Sequence, residues 1–341
     1  MSHGIRIVII GAGSIGCYLG GCLIAAGADV TLIGRERMRQ QIAEHRLRVT
    51  DWQGRDSNLS SEQVSYSLDM SPLQNADVIL VTVKSGDTKI VAQEIAAHAS
   101  PKALVVSLQN GVSNVDVLKE HLPQFNVLAA MVPFNVLSKG DGHFHCGTEG
   151  NLALEDPQNL SQSLTDALAM AQLFVDVYDD LTNVQWTKLL LNLNNAINAL
   201  SGLPLLEQLS NRDYRLILAQ AISEALAVYR AAGIKPVKSG KVIPQIIPHV
   251  LSLPTWLYKI VASSMLKIDP AARSSMYEDF VLGRKTEIDY LNGAIVELAQ
   301  QQGLNAPVNS AITRLVKENE LGGASPKLSP QTILKAINSI N

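Results

Sequence analysis

The sequence has little that would indicate a disulfide scaffold, a membrane span or a nucleic-acid-binding surface. Its 341 residues include three cysteines, Cys17, Cys22 and Cys146, without the spacing of a disulfide framework, as is usual for reduced thiols in a cytosol. Charged residues make up 17% and the net charge is −3, so no basic field is present. Asparagines interrupt the most apolar stretch, 182–200, before the ~18 residues of a membrane span are reached. We therefore expect a cytoplasmic protein that binds neither nucleic acid nor membrane.

The pattern of apolar residues, which make up 47% of the chain, changes near residue 180. From Ile5 to about Asp180, short β-branched runs alternate with helical stretches, and the runs are apolar on both faces. Such runs are typical of parallel strands covered by helices. Beyond Leu181 strand signals vanish and the pattern is helical. The sequence predicts an α/β fold, with a doubly wound parallel sheet in 1–180 and an all-α domain in 181–341.

A glycine-rich segment joins the first predicted strand to the first predicted helix. The residues are Gly11, Ala12, Gly13, Ser14, Ile15 and Gly16, directly after the strand Ile5–Ile10. The glycines permit a tight turn and a close approach to a pyrophosphate, which the helix N-terminus also attracts. In this strand–loop–helix context the motif is a dinucleotide-binding fingerprint, so we expect the sheet to be of the Rossmann type.

The end of the second strand indicates which nucleotide binds. An NAD enzyme places a carboxylate there for the ribose diol, whereas this chain has Gly34-Arg35-Glu36-Arg37. The guanidinium of Arg35 can hold a 2′-phosphate with two hydrogen bonds, which favours NADPH and NADP⁺. The alternative is that Arg35 and Arg37 only begin a solvated helix, and Glu36 keeps that alternative open.

Two more polar positions follow predicted strands. Lys84 comes directly after ADVILVTV, and Asn110-Gly111 comes directly after KALVVSLQ. Both are expected at the carboxyl ends of strands, which is the edge where doubly wound sheets bind ligands. We assign cofactor binding to the glycine segment and to Arg35, Lys84 and Asn110.

The helical stretch Thr182–Leu200 carries polar side chains on a face where a packed core would have none. At about 100° per residue, Lys188, Asn192 and Asn195 fall within roughly 60° of one another. Burying an ammonium group is costly unless it is paired or its pKa falls, so such a lysine either extends to solvent or is catalytic. The asparagines beside it favour a site.

Further motifs downstream connect the chain to a known family. Residues 273–293, RSSMYEDFVLGRKTEIDYLNG, predict one long helix on which Ser275 and Glu287 lie about three turns apart. Over nearly its whole length the chain resembles the ketopantoate reductases, or 2-dehydropantoate 2-reductases. The motifs that carry the resemblance are GAGSIG, Lys84 after ILVTV, Gln109-Asn110-Gly111, Trp186-Thr187-Lys188-Leu189 with Asn192, Ser274-Ser275-Met276, and Thr286-Glu287-Ile288-Asp289-Tyr290-Leu291-Asn292-Gly293.

The resemblance implies NADPH-dependent reduction of a 2-oxo acid, 2-dehydropantoate (ketopantoate), to pantoate in pantothenate biosynthesis. It places the substrate in a cleft between the two domains. Matching the motifs makes Lys188 the general acid and gives Glu287 an interaction with the substrate. Asn192 and Ser275 match substrate-binding positions, and Asn110 matches a residue between cofactor and substrate. Elementary chemistry agrees, because a hydride added to a ketone leaves an alkoxide that needs a proton.

Two features of this chain depart from the family pattern. The family has a second substrate-binding asparagine eight residues after the lysine, where this chain has Ala196. Asn195, one residue earlier, is better aligned with Lys188, and we expect it to bind substrate. The segment 241–272 is longer and more apolar than the family pattern, and it is assigned to the cleft, to a dimer interface or to the core.

Other functions stay open at this point. One alternative is an enzyme that reduces a different branched or bulkier 2-oxo acid. The other is a non-catalytic NADP(H) sensor that signals through a partner. The presence of Lys188 and Glu287 together argues against a sensor, which needs neither. His143 and His145 alternate on a strand beside Cys146, but without a third convergent ligand we expect no metal site. A homodimer is compatible with the sequence.

Overall fold

The fold is given by a computed structural model, which describes residues 4–238, 243–263 and 272–339. The chain divides into two compact units, Met1–Leu181 and Thr182–Asn341. Residues 241, 242 and 264–271 of the apolar segment 241–272 lie outside the described residues. In the part of the chain that is described, no helix combines the length and apolarity that crossing a membrane requires.

The N-terminal unit contains the strands and five helices of the described residues. The strands are β1 (Arg6–Ile10), β2 (Asp29–Ile33), β3 (Leu47–Asp51), β4 (Asp56–Leu59), β5 (Ser65–Ser67), β6 (Val78–Val81), β7 (Leu104–Ser107), β8 (Asn126–Met131), β9 (Val136–Ser138), β10 (His143–Cys146), β11 (Leu152–Glu155) and β12 (Val175–Tyr178). The helices are α1 (Ser14–Ala25), α2 (Glu36–His45), α3 (Thr88–His98), α4 (Asn114–His121) and α5 (Gln162–Met170).

The main sheet has eight strands in the order β12-β11-β8-β7-β6-β1-β2-β5. Within the six strands from β8 to β5 every adjacent pair is parallel, which confirms the predicted Rossmann-type sheet. The order reverses beside β1, so the loops after β1 and β6 meet at the topological switch point, where such sheets bind nucleotides. The strands are held there because β1, β6 and β7 carry apolar side chains that are buried on both faces.

The edges of the sheet were not predicted from the sequence. β11 runs antiparallel to β8, and β12 pairs parallel to β11. A second sheet, in the order β4-β3-β10-β9, also lies in this unit. These strands are short and several are half exposed, so they lack the continuous apolar runs that identify the central strands.

The predicted strand of His143 and His145 is present as β10. Both rings contact one hydroxyl, since Thr50 Oγ1 on β3 lies 2.8 Å from His143 Nε2 and 2.8 Å from His145 Nδ1. Partial burial lowers the pKa of both imidazoles. Over the described ranges, no group of three or more His, Cys, Asp or Glu side chains could hold a metal ion.

The C-terminal unit is helical, as predicted. Its helices are α6 (Thr182–Asn192), α7 (Asn194–Ser201), α8 (Leu205–Ser210), α9 (Arg212–Ala231), α10 (Ile247–Ser252), α11 (Thr255–Val261), α12 (Ser275–Val281), α13 (Asn292–Gln301), α14 (Pro307–Asn319) and α15 (Pro330–Asn338). The 20-residue α9 contacts α7, α8, α10, α13, α14 and α15, which makes it the centre of this unit.

The prediction of one helix over 182–200 was wrong in one respect. α6 ends at Asn192 and α7 begins at Asn194, with Leu193 between them at φ −58° and ψ −24°. Asparagine is a weak helix former because its amide competes for hydrogen bonds. Here the Asn194 amide oxygen accepts from Gln208, and the buried Asn198 amide donates to the carbonyl of Leu203. These tertiary contacts accompany the break.

The prediction of one long helix over 273–293 was wrong. α12 ends at Val281, and Gly283 adopts a left-handed conformation with φ 57°. Gly283 N–H donates to the Phe280 carbonyl and Arg284 N–H donates to the Asp279 carbonyl, which together form a Schellman motif. A 3₁₀ turn at Ile288–Tyr290 then leads into α13. Ser275 and Glu287 therefore do not share a helix.

Candidate active site

The glycine segment after β1 is folded around three glycines with different tasks. Gly11 has φ 111°, and a Cβ on it would lie 2.7 Å from the Val83 backbone nitrogen, so the position requires glycine. A Cβ on Gly16 would collide with the Gly11 carbonyl. A Cβ on Gly13 would meet no protein atom within 4 Å. The bare backbone at Gly13 thus serves no packing purpose, and it lies at the N-terminus of α1, where a pyrophosphate needs close approach.

Arg35 lies at the carboxyl end of β2 and immediately precedes α2. Its side chain is exposed, and its carbonyl accepts a 3.0 Å hydrogen bond from the Tyr66 hydroxyl. A side chain at Gly34 would collide with that hydroxyl, so glycine allows the contact. Glu36 points along α2, where its carboxylate accepts from Arg39 and Gln40. The geometry leaves a guanidinium at the strand end where the nucleotide ribose binds in this fold.

Lys84 and Asn110 follow β6 and β7, which are neighbours in the sheet. Their loops are joined by hydrogen bonds, beginning at Gln109. Its amide nitrogen donates to the Val83 carbonyl at 3.1 Å and to Thr88 Oγ1 at 2.7 Å, while its oxygen accepts from Ser107. The side chains of Gln109, Thr88 and Ser107 are buried, so these bonds are shielded from water.

The same network continues to the backbone of Asn110. Asn114, at the first turn of α4, accepts from Thr88 Oγ1 at 2.7 Å and donates to Ser85 Oγ at 3.1 Å. The carbonyl of Asn110 accepts from the Asn114 amide and, at 3.0 Å, from the Ser85 hydroxyl. The two loops are therefore held as one polar unit, which fixes the chain on either side of Lys84 and Asn110.

Lys188 is half-buried on α6. Desolvation lowers the pKa of its ammonium group to about 8, whereas the negative charge of Glu287 acts to raise it. The neighbouring Thr187 is buried, donates to the Asn183 carbonyl at 2.7 Å and accepts from Val237 N–H at 2.8 Å. The Tyr229 hydroxyl donates to the Trp186 carbonyl. These contacts fix the rotation of α6, and the lysine remains a cation at neutral pH that releases its proton more readily than an exposed lysine.

Hydrogen bonds of Ser274 attach the motif Ser274-Ser275-Met276 to α7. Ser274 N–H donates to Asn198 Oδ1 at 2.9 Å, and Ser274 Oγ donates to the Asn195 carbonyl at 3.0 Å. The adjacent Ser275 is exposed, while Asn192 and Asn195 are partly buried. The start of α12 is thereby fixed against α7, next in sequence to the helix that carries Lys188 and Asn192.

Sequence reasoning missed the residues that hold these groups in place. They are Gln109, Thr88, Asn114 and Ser85 in the first unit, and Ser274, Asn198 and Glu320 in the second, where the Glu320 carboxylate accepts from Thr286 beside Glu287. Gln109 and Ser274 were noted only as parts of motifs. A signal was present in part, because Thr88 and Asn114 each begin the apolar stripe of a helix, and Glu320 continues the four-residue spacing of the buried Ile312 and Val316. A polar residue in line with a buried stripe indicates a specific buried partner.

The fold and these groups define a class of protein, the nicotinamide-dependent oxidoreductases with a Rossmann-type domain followed by a helical domain. Sequence models of the "Ketopantoate reductase PanE/ApbA" family match residues 7–159, and those of its C-terminal domain match residues 180–320. The chain belongs to the ketopantoate reductase family, whose members are NAD(P)H-dependent reductases.

Individual relatives agree with this assignment. The 2-dehydropantoate 2-reductases of Pyrococcus abyssi and Halobacterium salinarum are 29% and 26% identical, each over 92% of this chain and 98% of the relative. A PanE/ApbA family ketopantoate reductase from Ralstonia eutropha JMP134 is 32% identical with a TM-score of 0.79, covering 93% of this chain and 98% of that one. D-mandelate dehydrogenase, solved with NADH and anilino(oxo)acetate, shares the fold at 22% identity, TM-score 0.75 and the same coverage.

Proposed function

We propose that this enzyme uses NADPH to reduce a 2-oxo acid to the 2-hydroxy acid, and that its substrate is 2-dehydropantoate, which becomes pantoate. The observation that carries the proposal is the desolvated ammonium group of Lys188, whose pKa burial lowers and the negative charge of Glu287 raises. Both belong to a helical unit that also carries neutral donors at Asn192, Asn195 and Ser275. A lysine in such surroundings is suited to proton donation, because its pKa lies near physiological pH.

The residues of the first unit fit the nucleotide. The open backbone at Gly13 and the N-terminus of α1 would hold the pyrophosphate, and Arg35 would pair with the 2′-phosphate. Lys84 and Asn110, fixed by the buried polar network, would bind nearer the nicotinamide end. When bound, the reduced nicotinamide supplies a hydride to the keto carbon. The preference for NADPH rests on Arg35, because Glu36 is engaged along α2.

The residues of the second unit perform the proton chemistry. Lys188 binds the keto oxygen, stabilises the negative charge that develops there and donates its proton to the resulting alkoxide. Glu287 favours the charged form of Lys188 before the reaction. Asn192, Asn195 and Ser275 supply donors for the substrate carboxylate and the distal hydroxyl. The balance is one 2-oxo acid, one NADPH and one proton in, and one 2-hydroxy acid and NADP⁺ out.

A panel of 2-oxo acids tests the substrate. The informative pair is ketopantoate and trimethylpyruvate, which has the same carbon skeleton without the hydroxyl. NADPH oxidation should be faster with ketopantoate than with trimethylpyruvate. Asn195→Ala should lower kcat/KM for ketopantoate, through a loss of about 1–3 kcal/mol of transition-state stabilisation, while kcat/KM for trimethylpyruvate hardly changes. Equal losses of kcat/KM for both substrates would mean that Asn195 does not bind the substrate hydroxyl. Reduction of another 2-oxo acid with no activity on ketopantoate would overturn the proposed substrate.

The oligomeric state is a separate proposal. A ketopantoate reductase from Staphylococcus aureus, 21% identical with a TM-score of 0.70 over 94% of this chain and all of that one, is described as dimeric. We infer that this chain also forms a homodimer. Size-exclusion chromatography with light scattering measures the mass directly, and a mass near 36.8 kDa, that of one chain, would contradict it.

A further inference from the structure

The segment that carries Glu287 is attached to α14 at regular intervals. Thr286, Asp289 and Asn292 follow one another at steps of three, and the 3₁₀ turn Ile288–Tyr290 lies between them. All three contact α14 or Glu320, the residue that follows it, and we call this set the anchoring face. Glu287 is not part of it, which leaves its carboxylate to act on Lys188.

The contacts of the anchoring face differ in burial. Glu320 Oε2 accepts from Thr286 N–H at 2.8 Å and from Thr286 Oγ at 2.7 Å, and both residues are more than nine-tenths buried. Lys317 pairs with Asp289 at the surface. At the far end Asn292 Nδ2 donates to Asn309 Oδ1 at 3.0 Å, and Asn309 is held in turn by Glu224.

Glu320 is the contact that acts most directly on Glu287. Its carboxylate holds both the backbone and the side chain of the preceding residue, with two charge-assisted hydrogen bonds. The Thr286 hydroxyl, oriented by that bond, also accepts from Ile288 N–H at 3.3 Å. The residues before and after Glu287 are thus tied to one buried carboxylate. A surface pair such as Lys317 with Asp289 contributes far less, because water screens it.

We infer that Glu320 is a positioning residue for the proton-transfer pair, which it serves by fixing the peptide on both sides of Glu287. This inference rests on the proposed function for its consequence in catalysis. Without the Glu320 carboxylate, Thr286 loses its acceptor and Glu287 samples positions further from Lys188. The ammonium then loses part of its electrostatic support, and the proton donor is less well aligned.

The test compares Glu320→Ala and Glu320→Gln with wild type, and uses Glu318→Ala as the matched control. Glu318 is an exposed carboxylate on α14, two residues before Glu320, and it lies near Arg314 and is not bonded to Thr286. Glu320→Ala should lower kcat roughly tenfold or more through misalignment and leave the Kd for NADPH unchanged. Glu320→Gln keeps an acceptor oxygen and should lie between, and Glu318→Ala should match wild type. A Glu320→Ala enzyme with wild-type kcat would overturn the inference.

A second readout does not depend on turnover. With lysine-selective isotope labelling, the Lys188 Cε resonance, identified by its absence from Lys188→Arg, gives the pKa directly. Glu320→Ala should lower that pKa, because the support from Glu287 weakens. If Glu320→Ala does not fold, Glu320→Gln and Thr286→Val decide by the same titration, and unchanged pKa values in both would overturn the inference. A wild type inactive on all 2-oxo acids would refute the proposed function alone, since the titration still reports on Glu320.

Discussion

The candidate site residues of the two units differ in kind. In the N-terminal unit the nucleotide contacts that we propose are largely backbone, at Gly13, at the start of α1 and at the loop that a buried network holds at Asn110, with the Arg35 and Lys84 side chains beside them. In the C-terminal unit the candidate groups are side chains. Lys188 is desolvated there, and the charge of Glu287 favours its protonated form. The first set of groups is held by contacts within the first unit, and the second set by contacts within the second unit. Binding and chemistry should therefore be separable by substitution.

The largest expected effect comes from removing the ammonium group. Lys188→Ala should lower kcat by roughly 10²–10⁴-fold, the usual contribution of a positioned acid, while the Kd for NADPH stays near wild type. Steady-state kinetics and a fluorescence titration with NADPH measure the two quantities. Lys335→Ala, an exposed lysine on α15, is the control. Near-normal turnover in a folded Lys188→Ala protein would mean that the lysine only extends to solvent.

The complementary substitution should change cofactor choice and leave the acid untouched. We expect wild type to prefer NADPH over NADH at least tenfold, since Arg35 adds a charge-assisted hydrogen bond of about 1.5–3 kcal/mol. Arg35→Asp should reduce or reverse that preference, and Arg37→Asp should change it less. The ratio of kcat/KM for the two nucleotides is the measurement. Equal use of both by wild type would contradict the role given to Arg35.

Two glycines of the first unit should separate nucleotide binding from stability. Gly13→Ala places a methyl group where no protein atom lies within 4 Å, so the melting temperature should not change. The Kd for NADPH should rise roughly tenfold, as for the loss of one hydrogen bond to a charged group. Gly16→Ala should instead lower the melting temperature, because its Cβ collides with the Gly11 carbonyl. Gly147→Ala, with open space and an ordinary φ, is the control.

The smallest effect concerns pH. Lys188 must be protonated to act as the acid, so kcat/KM for reduction should be constant below the pKa of about 8 and fall above it. Glu287 raises that pKa, so Glu287→Gln should move the fall to lower pH, in addition to lowering the rate. Profiles of both proteins over the same pH range measure the displacement. A fall at the same pH in both would mean that Glu287 does not act on Lys188.

The sequence was informative where a signal is local. The strand runs at β1, β2, β6, β7 and β8, the glycine motif and the change to helix near residue 180 all depend on neighbours in the chain. Edge strands such as β12 were missed because its four residues, three of them exposed, carry no apolar run. The end of α12 was missed although Gly283 indicated it, since glycine is the usual residue at the left-handed position after a helix.

The positions of the site side chains could not be derived in the same way. Lys188, Asn192 and Asn195 were grouped as residues of one helix, yet Asn195 lies on α7, beyond the interruption at Leu193. Ser275 and Glu287 were assigned by their motifs, but what holds them is Ser274 against α7 and Glu320 against Thr286. Those contacts join residues 79 and 34 positions apart. No local periodicity encodes such pairings.

The contact between Glu320 and Thr286 also imposes an order on how the enzyme matures. As the chain leaves the ribosome, all the residues of the first unit are present once residue 181 has emerged, and domains generally fold as units from the N-terminal end. The proton-transfer pair must wait for residue 320, because the Glu320 carboxylate accepts two hydrogen bonds from Thr286, the residue before Glu287. A nascent chain therefore acquires the means to recognise its nucleotide before it can carry out chemistry.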